Sequence, residues 1–356
     1  MPSYQRLLPG DPAPWFHARS SSRRDFAFDT IAGRYVVLCF FASAGDARGR
    51  AAVDAAIARK RFFDDEFASF FGVSIDPADE AQARVVGSVP GYRFFWDLDG
   101  KISRLYGAIA LDAEPSKGRV PLRRMWVVLD PTLRVMQVIP FLKDGGDAEH
   151  LESYLDGLPP PARFAGFEVP APILVLPNVF ESGFMVEEDG RTVVRQGYDH
   201  KRRSDYEITD PAVISQARQR VARRIAPEIL KVHQFRATRM ERYLIACYTA
   251  EAGGHFRAHR DNTTKGTAHR RFAVSINLND DYEGGEIGFP EYGPRWFKPP
   301  VGGAVVFSCS LLHAVARMTR GRRYAFLPFL YDDEAARLRE ANSAFLGDDV
   351  SPYGQE

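Results

Sequence analysis

The sequence predicts two domains of different class: an α/β domain, then an α+β domain built on a mostly antiparallel sheet. Three observations carry this. Residues 1–157 alternate strand-length apolar runs with helical patterns, which implies a sheet with parallel elements and covered faces. The run GLPPPAR at 157–163 holds three consecutive prolines, which favour extended chain and break any helix. Beyond it, one strong helical stretch gives way after Tyr243 to runs rich in β-branched and aromatic residues, separated by Gly, Asn, Asp and Pro. A chain of 356 residues is long enough to give each domain its own core. The expected boundaries are 1–157, a proline-rich linker at 158–165, and 166–356.

In chain order, residues 35–42 (YVVLCFFA) form a continuous apolar run of buried-strand length. Residues 51–70 carry a helical pattern, and 71–75 read as a second strand ending at Asp76-Pro77. Residues 92–96 and 125–129 are further short strands, and 133–140 pairs with the latter across the turn at Asp130-Pro131. In the second domain a helix starts at Pro211 with Asp210 as its N-cap. Ile214, Ala217, Val221 and Ile225 recur at helical spacing, and Pro227 ends or kinks that helix. Strands follow at 242–248, 271–278, 304–308 and 323–331.

The bulk properties exclude several classes. A net charge of +1 gives no broad electrostatic case for nucleic acid or an anionic membrane. No apolar run is long enough to span a bilayer, and the first residues lack a signal-peptide core, so a cytoplasmic protein is expected. Cys39, Cys247 and Cys309 lie in strand-like sequence without CxxC spacing, which reads as reduced structural thiols rather than disulfides or zinc ligands.

The chemistry concentrates in the second half. His259 and Asp261 lie in YTAEAGGHFRAHRDN (248–262), and His313 lies in SLLHAV. Residues i and i+2 of a strand point the same way, so His259 and Asp261 share a face and Arg260 points away. Two imidazoles and a carboxylate on one face of a metal leave the opposite face open, an arrangement that suits Fe(II) with an oxidant and a co-substrate. Each residue alone has a plainer reading. A single His-x-Asp is usually a surface pair, His313 beside Leu311 and Leu312 suits a core histidine, and His255 and His269 read as exposed loop residues.

The order of motifs across 240–332 resembles the 2-oxoglutarate- and Fe(II)-dependent dioxygenases, in particular their prolyl-4-hydroxylase-like branch. Cys247-Tyr248 precedes HRDN (259–262), then RRFAVSINLN (270–279), YEGGEIGFPE (282–291), PPVGGAVVFSCSLLHAV (299–315) and TRGRRYAF (319–326). The resemblance implies a double-stranded β-helix, or jelly-roll, core with helices against it. It implies His259, Asp261 and His313 as metal ligands, with Fe(II) as metal, 2-oxoglutarate and O₂ as co-substrates and ascorbate as an accompaniment. Three protein ligands leave three positions, two for a chelating 2-oxo acid and one for O₂. The far carboxylate of 2-oxoglutarate needs a cation, and Arg323 holds the matching position, with Arg322 as a rival on the other face of the strand. Tyr248 and Asn277 match further co-substrate contacts, and Ser275 shares the face of Asn277. Asp261 separates the chain from related halogenating enzymes, which lack that carboxylate. The run HKRRSDY (200–206) reads first as a solvated charged loop, yet its Arg203-Ser204 resembles a segment at the active-site rim of prolyl hydroxylases. Arg203 or Tyr206 is therefore a possible substrate contact.

The first half, from LLPGDPAPWF through YVVLCFFAS, GVSIDP, FFWDLDGKISRLYGA and MWVVLDPTLRV, resembles the peroxiredoxin branch of the thioredoxin-like fold. In that family the peroxidatic cysteine lies just after the first long strand, at a helix N-terminus. Here that place reads ASAGDARGR (42–50) and holds no cysteine, and Cys39 lies inside the strand, so a redox-inactive domain is expected.

The expectation for the whole chain is a dioxygenase that hydroxylates an unactivated C–H, such as that of a prolyl side chain, releasing succinate and CO₂. The alternative is a non-catalytic interaction or sensor protein that uses the cysteine-less domain to bind a partner. The sequence leaves the primary substrate open between protein, peptide and small molecule, and leaves the oligomeric state open.

Overall fold

The structure is a computed structural model that describes residues 3–113, 115, 120–181 and 201–343. The chain divides into two compact units, Met1–Pro170 with Pro290–Gly293, and Ala171–Phe289 with Pro294–Glu356. The proline run expected as a linker at 158–165 falls inside the first unit. Pro161–Arg163 forms a 3₁₀ turn, and Leu158 and Phe164 pack against the first unit's core, because apolar residues flanking the prolines have a surface to cover.

The first unit is built on a five-stranded sheet ordered Tyr92–Trp96, Ala68–Ser74, Tyr35–Ala42, Met125–Leu129, Val135–Pro140. The first three strands run parallel and the last two are antiparallel additions. This is a thioredoxin-like sheet. Every residue of Tyr35–Phe41 is buried, which is why its sequence is a continuous apolar run rather than an alternation. Tyr35, Val37, Cys39 and Phe41 face the helices Ala47–Ala58 and Asp147–Asp156, while Phe40 turns to Tyr106 on the other side.

The helix expected at 51–70 differs from the observed Ala47–Ala58. It begins earlier because Asp46 caps it, accepting hydrogen bonds from the amides of Arg48 and Gly49. It ends earlier because a 3₁₀ turn at Lys60–Phe62 sends Phe62 and Phe63 into the core and starts the next strand at Ala68.

The second unit consists of two sheets. The larger has the path Ser204–Glu207, Leu244–Thr249, Arg322–Phe326, Phe272–Asn277, Ala304–Ser308, Leu174–Leu176, with Phe329–Tyr331 and Arg239–Glu241 joined to it. The smaller is ordered Trp296–Phe297, Ile287–Gly288, His313–Val315, His255–His259, Lys201–Arg202. Neighbouring strands are antiparallel throughout both sheets. Helices Pro211–Arg224 and Ala226–His233 cover the outer face of the larger sheet, where Ala217, Val221, Ile225 and Ile229 meet Val274, Ile276, Val306 and Phe326. The break between the helices falls at Ile225, with Pro227 in the first turn of the second. The segment expected as one strand at 323–331 is two, Arg322–Phe326 and Phe329–Tyr331, because Pro328 cannot donate to a ladder.

Alternation decides what the inner face presents. Val274 and Ile276 point to the helices, so Ser275 and Asn277 point inward; Phe326 points to the helices, so Arg323 and Ala325 point inward. The inner faces of the two sheets line one cavity between them, in the manner of a jelly roll.

Candidate metal centre

His259 is the last residue of His255–His259 and lies directly opposite His313, the first residue of His313–Val315. Their ring centroids are 4.3 Å apart. Asp261 lies just past the strand end, its amide donating to the Cys309 carbonyl at 2.9 Å, which turns its carboxylate toward both rings. Asp261 Oδ1 is 3.5 Å from His259 Nε2 and Oδ2 is 3.4 Å from His313 Nε2. One ligand atom from each of the three residues falls within 4.8 Å of the other two, and no other His, Cys, Asp or Glu group of this kind occurs among the described residues.

The outer nitrogens are already engaged. His259 Nδ1 lies 2.7 Å from the Arg257 carbonyl and His313 Nδ1 3.1 Å from the Leu311 carbonyl. Those contacts favour Nδ1–H tautomers, which leave both Nε2 lone pairs for a metal. Burial and then the neighbouring His259 push the His313 imidazole down to about 4, so it stays neutral as a ligand must. Burial pushes the Asp261 carboxyl up, but Arg270, together with His313 and His259 when those imidazoles are protonated, outweighs it and brings the carboxyl below its ordinary range. Two imidazole nitrogens and one carboxylate fit an octahedral divalent metal with open positions, and Fe(II) is the usual occupant of that donor set.

Phe256 stacks on the His259 ring at 3.6 Å between centroids. Residues three apart in a regular strand face opposite sides, and an irregularity of register between Phe256 and His259 brings these two together.

Arg323 is 2% exposed. Its Nη2 donates to Ser275 Oγ at 2.8 Å and to Asn277 Oδ1 at 3.0 Å, and its Nε donates to the same Asn277 oxygen at 3.1 Å. It lines the cavity of the histidine pair, whereas Arg322 is exposed and lies 3.8 Å from Glu251. The Gly284-Gly285 turn makes room for it: both residues have positive φ, +77° and +73°, and a Cβ on Gly285 would lie 3.0 Å from Arg323 Cδ. Tyr248 is buried and lines the same cavity, its hydroxyl accepting from Arg203 Nη1 at 2.9 Å.

Four expectations change. Asn277 is not among the residues lining the cavity; its oxygen accepts from Arg323 and its amide donates to the Pro299 carbonyl. Tyr206 does not line the cavity either, since it pairs with Ile245 in the larger sheet while Arg203 occupies the rim. The run around Arg203 is no solvated loop: Lys201–Arg202 and Ser204–Glu207 are strands, and Arg203 is buried against Asp205. His269 is buried rather than exposed, 2.9 Å from Glu241. Arg242 and Phe256 line the cavity without having been singled out in the sequence.

Residues 242–331 match the family model of the 2OG-Fe(II) oxygenase superfamily. The second unit carries a 2OG-Fe(II) oxygenase domain. Residues 9–137 match the AhpC/TSA family, so an AhpC/TSA domain precedes it. The oxygenase domain is 42% identical over 91 residues to a PKHD-type hydroxylase of Pseudomonas fluorescens, covering 23% of this chain and 39% of that protein. A solved 2OG-Fe(II) oxygenase family oxidoreductase from Burkholderia pseudomallei aligns with 45% of this chain and 84% of its own, at 18% identity and TM-score 0.36. Peroxidoxin BcpB from Mycobacterium tuberculosis aligns with 43% of this chain and 99% of its own, at 20% identity and TM-score 0.35. The chain thus spans 39% of the length of the curated relative it matches. Within the AhpC/TSA domain, the first turn after Tyr35–Ala42 carries Asp46 instead of a thiol, and Arg124 Nη2 is 2.5 Å from the Asp46 carboxylate. Cys39 is fully buried, and burial pushes its thiol well up.

Proposed function

We propose that the chain is an Fe(II)- and 2-oxoglutarate-dependent dioxygenase that hydroxylates an unactivated C–H bond and releases succinate and CO₂. The observation that carries this reading is the placement of His259, Asp261, His313 and Arg323 in one cavity, with the three ligand atoms converging. In this reading His259, Asp261 and His313 hold Fe(II), which when bound activates O₂ with electrons from the 2-oxo acid. Arg323 supplies a planar fork for the far carboxylate of 2-oxoglutarate, held rigid by Ser275 and Asn277. Tyr248 closes the wall beside it, and Phe256 keeps water from one face of the His259 ring. Fe(II), 2-oxoglutarate and O₂ are the proposed requirements, with ascorbate as a reductant that keeps the iron ferrous.

The matched relatives are called PKHD-type hydroxylases, which supports hydroxylation as the reaction, and the resemblance of the motifs to prolyl 4-hydroxylases makes a prolyl side chain a candidate for the hydroxylated group. An intact ligand set is what catalysis needs and what a purely interacting domain has no reason to keep. The AhpC/TSA domain is proposed to be redox-inactive, the helix N-terminus that would activate a thiol being occupied by Asp46. The test is turnover: purified protein with Fe(II), O₂ and ascorbate should convert 2-oxoglutarate to succinate slowly without substrate, and His259→Ala should abolish it. A product one oxygen atom heavier, sought by mass spectrometry in lysate treated with active protein, would identify the substrate.

A further inference from the structure

A second cationic group lines the cavity, apart from Arg323. Arg203 and Arg242 both face the space that the metal ligands line. With Lys201 they surround a single carboxylate, that of Asp205. Lys201 Nζ lies 2.8 Å from Asp205 Oδ2, Arg203 Nε lies 2.6 Å from Oδ1, and Arg242 Nη2 lies 3.8 Å from Oδ2. Three positive charges against one negative leave an excess of two. Burial, then Arg203 and Arg270, push the Arg242 guanidinium down to about 10, and the carboxylates opposing that are Asp205 and Asp261. Asp261 is the ligand whose charge a bound metal neutralises.

The members of this group are not equally engaged. Arg203 donates through Nη2 to Asp205 and through Nη1 to the Tyr248 hydroxyl, while its Nε lies at ion-pair distance from Asp205 Oδ1. Arg242 is only ion-paired at the 3.8 Å distance, and its guanidinium lies 5.7 Å from the centre of the Phe329 ring. It makes no closer contact with a carboxylate among the described residues. The group sits one ring away from the metal ligands: Phe256 stacks on His259, and Lys201 Nζ and the Arg203 guanidinium lie 5.9 and 5.6 Å from the Phe256 ring centre. An anion held there would lie beside the cavity that His259, Asp261 and His313 line.

We infer that the primary substrate carries a carboxylate that docks on Arg242, with Lys201 and Arg203 completing the positive field. The inference rests on the oxygenase reading above and narrows its substrate to an acid. The Arg242 side chain is 31% exposed and its nearest carboxylate oxygen is 3.8 Å away, so its planar fork is open to an incoming carboxylate. A free acid and an acidic side chain of a peptide offer the same group, and the test separates them.

Protein loaded with Mn(II) and saturating 2-oxoglutarate, which occupies Arg323, is titrated calorimetrically with matched probes. One pair is N-acetylglutamate and N-acetylglutamine. The other is a blocked Ala-Glu-Pro-Ala peptide and its Gln counterpart. The acid of one pair is expected to bind about tenfold or more tightly than its amide, a difference of about 1.4 kcal/mol, and the pair that shows it names the source of the carboxylate. Arg242→Gln should reduce that preference to about threefold or less, and Arg242→Lys, which keeps the charge, should restore most of it. Equal binding within both pairs, binding by neither acid, or a preference that survives Arg242→Gln overturns the inference. The wild-type protein is also examined anaerobically for the visible absorption that Fe(II) and 2-oxoglutarate produce together. Its absence would sink the oxygenase reading itself, whereas its presence without acid preference sinks the carboxylate proposal alone.

Discussion

Arg323 and Tyr248 stand directly opposite each other on adjacent antiparallel strands, with the guanidinium carbon 5.5 Å from the centre of the phenol ring. Both are buried, and both line the cavity that His259, Asp261 and His313 share. The pairing joins the proposed co-substrate clamp to the cavity rim, because the Tyr248 hydroxyl accepts from Arg203.

Asn277 accepts two hydrogen bonds from Arg323 through one oxygen. Asn277→Ala removes both and lets the guanidinium move in its slot. Bonds to a charged group are worth about 1.5–3 kcal/mol, so the KM for 2-oxoglutarate should rise roughly tenfold or more. Affinity for Fe(II) should change little. Steady-state kinetics against 2-oxoglutarate, with a parallel metal titration, checks this; an unchanged KM would show that Asn277 does not position Arg323.

Glu241 anchors a buried ionic cluster, within 2.9 Å of His269, 2.8 Å of Arg270 and 3.1 Å of Arg339. Burial pushes its carboxyl up, but His269 and Arg270 outweigh that and bring it down to about 2 from an ordinary 4.5. A depressed carboxylate stabilises the fold fully above its unfolded value and loses that stabilisation as pH falls from 4.5 toward 2. Thermal unfolding should therefore show wild type losing stability across that window. Glu241→Gln should be less stable at neutral pH by a few kcal/mol, since it strands buried cations, and flatter in acid. Parallel curves for the two proteins would contradict the assignment.

Gly49, in the first turn of Ala47–Ala58, has no room for a side chain: a Cβ there would lie 1.8 Å from the Ser43 carbonyl oxygen. Gly49→Ala should cost about 1–3 kcal/mol or more, read as a lower unfolding temperature of the full chain. An unshifted transition would mean that the turn yields freely.

Peroxide consumption should be at the level of buffer, and Cys39→Ser should not change it, because that thiol is fully buried within a strand. Consumption lost in the Cys39→Ser variant would show that the AhpC/TSA domain keeps redox chemistry.

The convergence of His259, Asp261 and His313 was legible because a strand repeats every two residues and because the three stand in an ordered run of motifs. Arg323 was separable from Arg322 on the same alternation. The role of Asn277 was not legible, since inward direction does not say whether a side chain reaches the cavity or is spent on a neighbour. Phe256 was hidden by a register irregularity that breaks the two-residue repeat. Arg203 and His269 looked solvated because charge alone does not reveal that Arg203 pairs with Asp205 inside its own run or that Glu241 comes from 28 residues away to meet His269. Arg242, one residue past Glu241, carries no motif at all, and only the folded sheet brings it to the rim.

His259, Asp261 and His313 are proposed to hold Fe(II) together and to present it to 2-oxoglutarate. Anaerobic titration of metal-free protein with Fe(II) in the presence of 2-oxoglutarate tests it most directly. Saturation is expected at one Fe(II) per chain, with a visible absorption that needs both components and disappears in His313→Ala. Failure to bind Fe(II) saturably, or binding and absorption that persist in His313→Ala, would contradict it.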